Sequence, residues 1–388
     1  MKILFITHYD NMYGANRALF KLVILLKKEY GEEPVVLIPA EGELSQRLTE
    51  ADVKVMIHPV TQWQGIYSTP VRFMIKKHLR KKRLEREIDE LYEKVKTEKP
   101  DLIYSNSSVI GTGAMLAERI GCSHIWHIRE FSKEHFNMRY FYPQKRVREL
   151  YEQADCLVAI SEALKDNYAA KYPDARIRRI YDGVSAMNAK ENQATPLTSK
   201  RSVRFCYVGY LFPMKHQEQV LEACEQLNAS GFTGYELYLV GNGEERYENK
   251  LKKKIEKAGL TQVKMTGYRS DVQDFLNTMD IGIIASEYEG FGLVTVEYML
   301  HGMPVIGRNS GGTPELIVDT VTGYLYDDIE GLTAAMKRLM ENPAKVESMG
   351  EAGRERAEKY FTEEKNAEEI IKLIHGYQEN VSKDEVES

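Results

Sequence analysis

Short runs rich in β-branched and aromatic residues alternate with longer amphipathic stretches almost from end to end of the chain, the pattern of α/β units built on parallel sheets. In the first half the spacing predicts strands over Lys2 to His8, Pro34 to Ile38, Val53 to His58, Asp101 to Ser105, His124 to Ile128 and Cys156 to Ile160. Helical spacing is plainest in Ala15 to Glu29, where Leu19, Leu22, Val23 and Leu26 share a face. From Ser185 to Arg201 the alternation lapses into a polar stretch without periodicity, which reads as a connection between domains. It then resumes, with strands predicted over Arg204 to Tyr210, Glu236 to Val240, Val263 to Thr266, Ile281 to Ala285, Pro304 to Gly307 and Gly323 to Tyr326. Two successive sheets result, each with its ligand-binding edge at the carboxyl ends of its strands, and the cleft between them is the expected active site.

Length agrees, because 388 residues exceed what one core usually organises and suggest two domains of roughly 180 residues each. A net charge of −5 leaves no bulk electrostatic case for a nucleic-acid partner. Cys122, Cys156, Cys206 and Cys224 show no C-x-x-C spacing, so neither a zinc site nor a disulfide framework is suggested, and a reducing cytoplasm fits. Met1 to His8 is too short an apolar run for a signal peptide and reads as a first buried strand. No stretch approaches the roughly 20 apolar residues that span a bilayer. Near the end, Ala367, Ile370, Ile371, Leu373 and Ile374 form an apolar stripe within Thr362 to Tyr377 that has to be buried, while Glu379 to Ser388 is polar and acidic and expected to be disordered.

The chemistry concentrates in the second half. The strand ending at Ala285 runs into Ser286-Glu-Tyr-Glu289-Gly-Phe-Gly292, and a helix is predicted over Leu293 to Leu300. The first-turn amides of that helix, near Gly292, Leu293 and Val294, have no intrahelical acceptor and carry the positive end of the helix dipole, so a diphosphate can lie there. Glu297 stands in a helix otherwise made largely of Leu293, Val294, Val296, Tyr298, Met299 and Leu300. A carboxylate in that setting needs hydrogen bonds: a ribose diol would supply them, and so would a nearby arginine or a backbone donor. Gly311-Gly312-Thr313-Pro314-Glu315 then opens another turn and helix, and its glycine pair suits either close approach of an anion or a plain tight turn.

The run from Asp280 to Leu325, with Glu-Gly-Phe-Gly, a second glutamate eight positions after the first, His-Gly-Met-Pro-Val, Gly-Gly-Thr-Pro-Glu and Thr322-Gly-Tyr-Leu, closely resembles the donor-site signature of family 4 retaining glycosyltransferases. Weaker likeness extends through Tyr207-Val-Gly209-Tyr-Leu-Phe-Pro-Met-Lys215, Leu239-Val-Gly241-Asn-Gly243 and Met265-Thr-Gly267-Tyr268. The resemblance implies an α/β GT-B fold of two Rossmann-like domains facing across a cleft, with a C-terminal helix crossing back to the N-terminal domain. The boundaries implied are an acceptor-side domain over 1–190, a nucleotide-sugar domain over 200–361 and the crossing helix over 362–380. It also implies roles. Glu289 would contact hydroxyls of the donor sugar, Glu297 the ribose, and Lys215 the diphosphate, helped by Gly209 and the backbone of Phe291, Gly292, Leu293 and Val294. Tyr268 and Arg269 would lie beside the base, and His127, in Trp126-His-Ile-Arg-Glu, near the donor sugar and the reaction centre. Gly14, in Tyr13-Gly14-Ala15-Asn16-Arg17, would border donor and acceptor, with Asn16, Asn106 and Arg129 on the acceptor side and Ser107 and Glu130 close by.

Two departures stand out. The family typically has arginine directly after the glycine of the diphosphate loop, where this chain has Tyr210, which donates one hydrogen bond and carries no positive charge. Lys215 and Arg308 could share that task. In the N-terminal loop, Tyr13 and Asn16 replace a second glycine and an acidic residue. The implied reaction is transfer with retention at the anomeric carbon, with no metal and no resident cofactor. There is no D-x-D motif, and Asp327-Asp328 reads as a solvated turn.

Arg72 to Arg83 is strongly basic and interleaved with Phe73, Met74, Ile75 and Leu79, so it could rest on an anionic membrane or form a solvated face followed by Glu85, Glu87, Asp89 and Glu90. The expected setting is cytoplasmic and peripheral at the inner face of the cell membrane, the acceptor a glycan or lipid-linked saccharide of envelope or exopolysaccharide synthesis. Two other readings stay open at this point, a GT-B nucleotide-sugar epimerase and a binding subunit that keeps the fold without turnover.

Overall fold

A computed structural model describes residues 1–12, 14–66, 70–185 and 201–386. The described chain divides into two compact units, Met1–Asp182 together with Glu363–Ser388, and Gly183–Thr362. Most of the predicted connection between domains, 186–200, lies outside the described residues, as does Tyr13.

The first unit contains β1 (Lys2–Ile6), β2 (Glu33–Ile38), β3 (Lys54–Ile57), β4 (Gln64–Gly65), β5 (Leu102–Ser105), β6 (Ser123–Ile128), β7 (Arg139–Tyr140), β8 (Cys156–Ala159) and β9 (Ile177–Arg179). Seven of them form a parallel sheet in the order β3-β2-β1-β5-β6-β8-β9, while β4 and β7 pair antiparallel as a separate ribbon. Strands covered on both faces by helices need apolar side chains on both faces, and β1, β5 and β8 are buried almost throughout. The stripe of the last helix, Glu363–Val386, enters this unit's core. Ala367, Ile370, Ile371, Leu373 and Ile374 are at most 3% exposed and join a cluster with Leu19, Leu22, Val23 and Leu26 of the helix Gly14–Tyr30. That last helix continues to Val386, so most of the segment expected to be disordered from Glu379 is helical. Glu379, Lys383 and Glu385 have good intrinsic helix propensity, and the segment extends a helix already anchored by the stripe, which spares it the cost of nucleation.

The second unit contains β10 (Val203–Val208), β11 (Tyr235–Val240), β12 (Val263–Gly267), β13 (Ile281–Ile284), β14 (Val305–Arg308) and β15 (Gly323–Tyr326). They form a parallel sheet in the order β12-β11-β10-β13-β14-β15. Sequence order reverses direction between β10 and β13, which is the switch point where open α/β sheets bind ligands beyond their strands' carboxyl ends. The core here is independent, built on Phe205, Leu221, Leu237, Ile283, Ile306 and Leu332 among others.

Candidate functional site

The loops leaving β10, β11 and β12 are stitched together through glycines. Gly209 donates its N–H to the Val240 carbonyl at 2.9 Å, Leu211 to Asn242 at 2.9 Å, and Gly241 to Gly267 at 2.9 Å. A Cβ at Gly241 would stand 2.1 Å from the Gly209 carbonyl oxygen, and one at Gly243 would stand 2.1 Å from that of Leu211. The loops can lie this close only because both residues lack side chains. Tyr268 follows, its N–H bound to Asn242 Oδ1 at 2.8 Å and its side chain 72% exposed. Arg269 pairs with Asp271 at 2.6 Å and lies over the Phe275 ring.

Beyond β10 a single 3₁₀ turn, Pro213–Lys215, leads into the helix Gln217–Ala229. Its position is set by the Tyr207 hydroxyl, which donates to the Lys215 carbonyl at 2.7 Å. The lysine's Nζ then reaches Glu289 Oε2 at 2.7 Å, joining the loop after β10 to the loop after β13. Both side chains stay partly exposed, at 24% and 17%, so the pair is open to a ligand. His216 Nε2 lies 3.5 Å from Glu287 Oε2, and burial first, then Arg308, hold the imidazole below its usual range.

The helix predicted over Leu293 to Leu300 forms with those limits, entered through Gly292 at φ +96°, a conformation in which a side chain would be strained. Phe291 is buried against Phe361, while Leu293 and Val294 remain half-exposed at the first turn. Glu297 is 6% exposed, and its carbonyl accepts from His301 Nδ1 at 2.8 Å. The glycine pair packs against backbone. Gly312 N–H donates to the Glu289 carbonyl at 2.8 Å, and Cβ atoms at Gly311 and Gly312 would meet the Glu289 and Gly290 carbonyl oxygens, each at 2.6 Å. These glycines therefore hold the Glu289 loop in place, a function beyond the tight turn or anion approach that their spacing suggests. Asp327 accepts from Asn309 Nδ2, and Asp328 caps the helix Ile329–Glu341 through the Gly331 N–H, so both carboxylates have local structural roles.

The first unit carries a second cluster at its own strand ends. His127, on β6, is 1% exposed. Its Nδ1 takes the Tyr104 hydroxyl at 2.7 Å and Arg129 Nη2 at 3.2 Å. A guanidinium can only donate, so Nδ1 is the acceptor and the proton of the neutral ring sits on Nε2. Burial first, then the Arg129 charge, drive the His127 pKa well below its ordinary value. Arg129 is anchored by Asp182 and lies 3.3 Å from Asn106 Oδ1, whose Nδ2 donates to the Ala15 carbonyl at 3.2 Å. Glu130 accepts from Ser107 and Ser108. Asn16 is fully buried, its amide bound to Thr7, Tyr9 and Asn11, which shapes the loop before Gly14. Tyr104 and Asp182 were not legible as site residues, because an aromatic in an apolar strand and an aspartate in a loop carry no spacing signal.

Among the described residues no helix is long and apolar enough to cross a membrane, and no three His, Cys, Asp or Glu side chains are grouped to hold a metal ion. The basic stretch begins a helix, Pro70–Glu98, in which Leu84, Ile88, Leu91 and Val95 are buried while Met74 and Leu79 are 67% and 64% exposed.

Comparison with known proteins gives a consistent picture. Residues 14–186 match the family model described as Glycosyltransferase Family 4, and residues 188–356 the model described as Glycosyl transferases group 1. The N-acetyl-alpha-D-glucosaminyl L-malate synthase of Bacillus anthracis is 27% identical over 223 residues, 55% of this chain and 58% of that protein. The uncharacterized glycosyltransferase MJ1178 of Methanocaldococcus jannaschii is 26% identical over 284 residues, 69% of this chain and 74% of its own length. Among solved structures, HepE from Anabaena in complex with UDP superposes with a TM-score of 0.77 at 22% identity, covering 97% of this chain and 100% of that one.

Proposed function

The chain belongs to the glycosyl transferases of group 1, with a family 4 N-terminal half, and from that membership we propose that it moves a sugar from a nucleoside-diphosphate-sugar donor to a glycan or lipid-linked acceptor with retention at the anomeric carbon. The observation that carries this reading is the Lys215–Glu289 pair at 2.7 Å, beside the helix N-terminus at Gly292 and at the switch point of the second sheet. Lys215 and the first-turn amides meet the charge that grows on the diphosphate as the glycosidic bond breaks, so no metal or cofactor is required. Glu289 receives hydroxyls of the sugar and Glu297 those of the ribose. Gly209 and Tyr210 line the diphosphate loop, with Tyr268 and Arg269 beside the base. The family resemblance assigns His127 to the donor sugar and Gly14, Asn106 and Arg129 to the acceptor side, although Nε2 of His127 is buried and lies 4.0 Å from Asp182 Oδ1 within the first unit. HepE is described in complex with UDP-glucose, which favours a nucleotide sugar as the donor class. The exposed Met74 and Leu79, set among basic residues, support attachment to an anionic membrane surface, where a lipid-linked acceptor would be found.

A melting-shift and hydrolysis screen against UDP-, GDP-, ADP-, TDP- and CMP-sugars tests the reading. The expected result is one donor that stabilises the protein and is slowly hydrolysed, with hydrolysis lost in Glu289→Ala. A chain that no nucleotide stabilises is not a transferase of this kind, and a donor isomerised without acceptor would favour an epimerase. For the membrane, neutralising Lys76, Lys77, Lys81 and Lys82 is expected to abolish sedimentation with anionic vesicles, and unchanged binding would overturn that part.

A further inference from the structure

The donor's diphosphate carries two negative charges, and a third develops on the leaving nucleotide. Against these the loop after β10 brings only Lys215, already shared with Glu289. Tyr210 adds no charge: its ring is 55% exposed, and its carbonyl accepts from Gln217 Nε2 at 3.1 Å.

A second cation stands two strands away in the same sheet. Arg308 is the last residue of β14, at the carboxyl edge that also carries Lys215 and Glu289. Side chains alternate along a strand, so Arg308 shares a face with Ile306, which is buried in the core formed with the helix Gln217–Ala229. Its Nη1 accordingly reaches the first turn of that helix, donating to Gln219 Oε1 at 3.2 Å. Among the described residues no carboxylate lies within 4.0 Å of the guanidinium, so its charge is met by a neutral amide alone. That charge is felt at His216, next to Lys215, and at the Tyr326 hydroxyl, a buried donor with no hydrogen-bond partner among the described residues. The Gln219 contact occupies one of five N–H groups and orients the planar fork.

We infer that Arg308 is the second cation of the diphosphate site, supplying from β14 a positive charge that Tyr210 does not bring to the loop after β10. The inference rests on the donor reading above and adds to it a residue that discriminates diphosphates from uncharged ligands. A helix N-terminus, a lysine and a guanidinium then converge on one diphosphate from the ends of β10, β13 and β14.

Titration calorimetry of the full chain with UDP, GDP and ADP tests it. For whichever nucleotide binds the wild type, Arg308→Ala and Arg308→Gln are expected to weaken affinity at least tenfold while leaving the unliganded melting temperature unchanged, and Tyr210→Arg in the Arg308→Ala background is expected to restore most of the loss. Wild-type affinity in both Arg308 variants would overturn the inference and leave the donor reading intact. A wild type that binds none of these three and no TDP either would overturn both.

Discussion

Lys215 and Glu289 hold each other at 2.7 Å, and any donor that uses both must share in that pair. A partly exposed ion pair is worth about 1 kcal/mol or less, so releasing Lys215 changes its availability about fivefold at most. Glu289→Gln is therefore expected to bind the bare nucleoside diphosphate as well as or up to about fivefold better than wild type, while binding of the intact sugar donor falls. Calorimetry with both ligands checks this, and equal loss for the two would mean that Glu289 supports the loop and not the sugar. In the first unit, His124 and His127 are 4% and 1% exposed, and burial lowers the His124 pKa to about 3 and drives that of His127 well down. Their folded pKa values lie below the unfolded one of about 6.5, so the unfolded chain binds more protons below that pH and stability falls as pH falls. Between pH 7 and pH 5 each is expected to cost about 2 kcal/mol, before carboxylates titrate, and urea denaturation at the two pH values measures it. A flat profile would mean that water reaches these rings. The motif named Glu289 and Lys215 because their types and spacing are chemical. It could not place Arg308 or find Tyr104, because strand order sets Arg308 on the edge that carries Lys215 and, in the other sheet, sets Tyr104 beside His127, and spacing along one strand says nothing about its neighbours.

The twelve strands read from hydrophobic runs all form, most within a residue or two of the expected limits, because a buried parallel strand needs an apolar run that a surface helix does not tolerate. The exceptions are β9, an edge strand reading Ile-Arg-Arg, and the two-residue strands β4 and β7, too short and polar to leave such a run. What the pattern does not contain is how the strand ends are fitted to one another, which rests on glycine. Gly241, at φ +133°, faces the Gly209 carbonyl so closely that a methyl group would lie at 2.1 Å, whereas Gly259, at φ +63°, has no atom within 4 Å of its would-be Cβ. Gly259→Ala is expected to cost about 1–2 kcal/mol from backbone strain alone. Gly241→Ala adds a collision and is expected to cost about 3 kcal/mol or more, and to weaken nucleotide binding by displacing the loop that leads to Lys215. Denaturation of the two variants side by side separates strain from collision, and equal costs would show that the loop yields freely.

Each unit has a core of its own, and the two cores differ in what reports on them. Both tryptophans of the chain, Trp63 and Trp126, are fully buried in the first unit, 5.2 Å apart between ring centroids, with Tyr151 stacked on Trp126. Tryptophan emission therefore follows the first unit alone, whereas far-ultraviolet circular dichroism sums over both. The last helix belongs to the first unit although the entire second unit precedes it in sequence, and Ile374 is completely buried in the cluster with Leu19 and Leu26. Ile374→Ala leaves a cavity whose cost is about 2–5 kcal/mol, and that cost falls on the unit the tryptophans report. The variant is thus expected to lower the midpoint of the emission transition by several degrees. The nucleoside diphosphate of the proposed function has the opposite address. If it binds at the ends of β10, β13 and β14 as proposed, it stabilises the second unit by about 2.7 kcal/mol at a hundredfold excess over Kd. It is expected to raise the dichroism component that the emission transition does not follow, and to do so equally in Ile374→Ala. If Ile374→Ala moved both transitions together, or if nucleotide shifted emission as much as dichroism, the two units would unfold as one cooperative body and the separate cores would not be separate in energy.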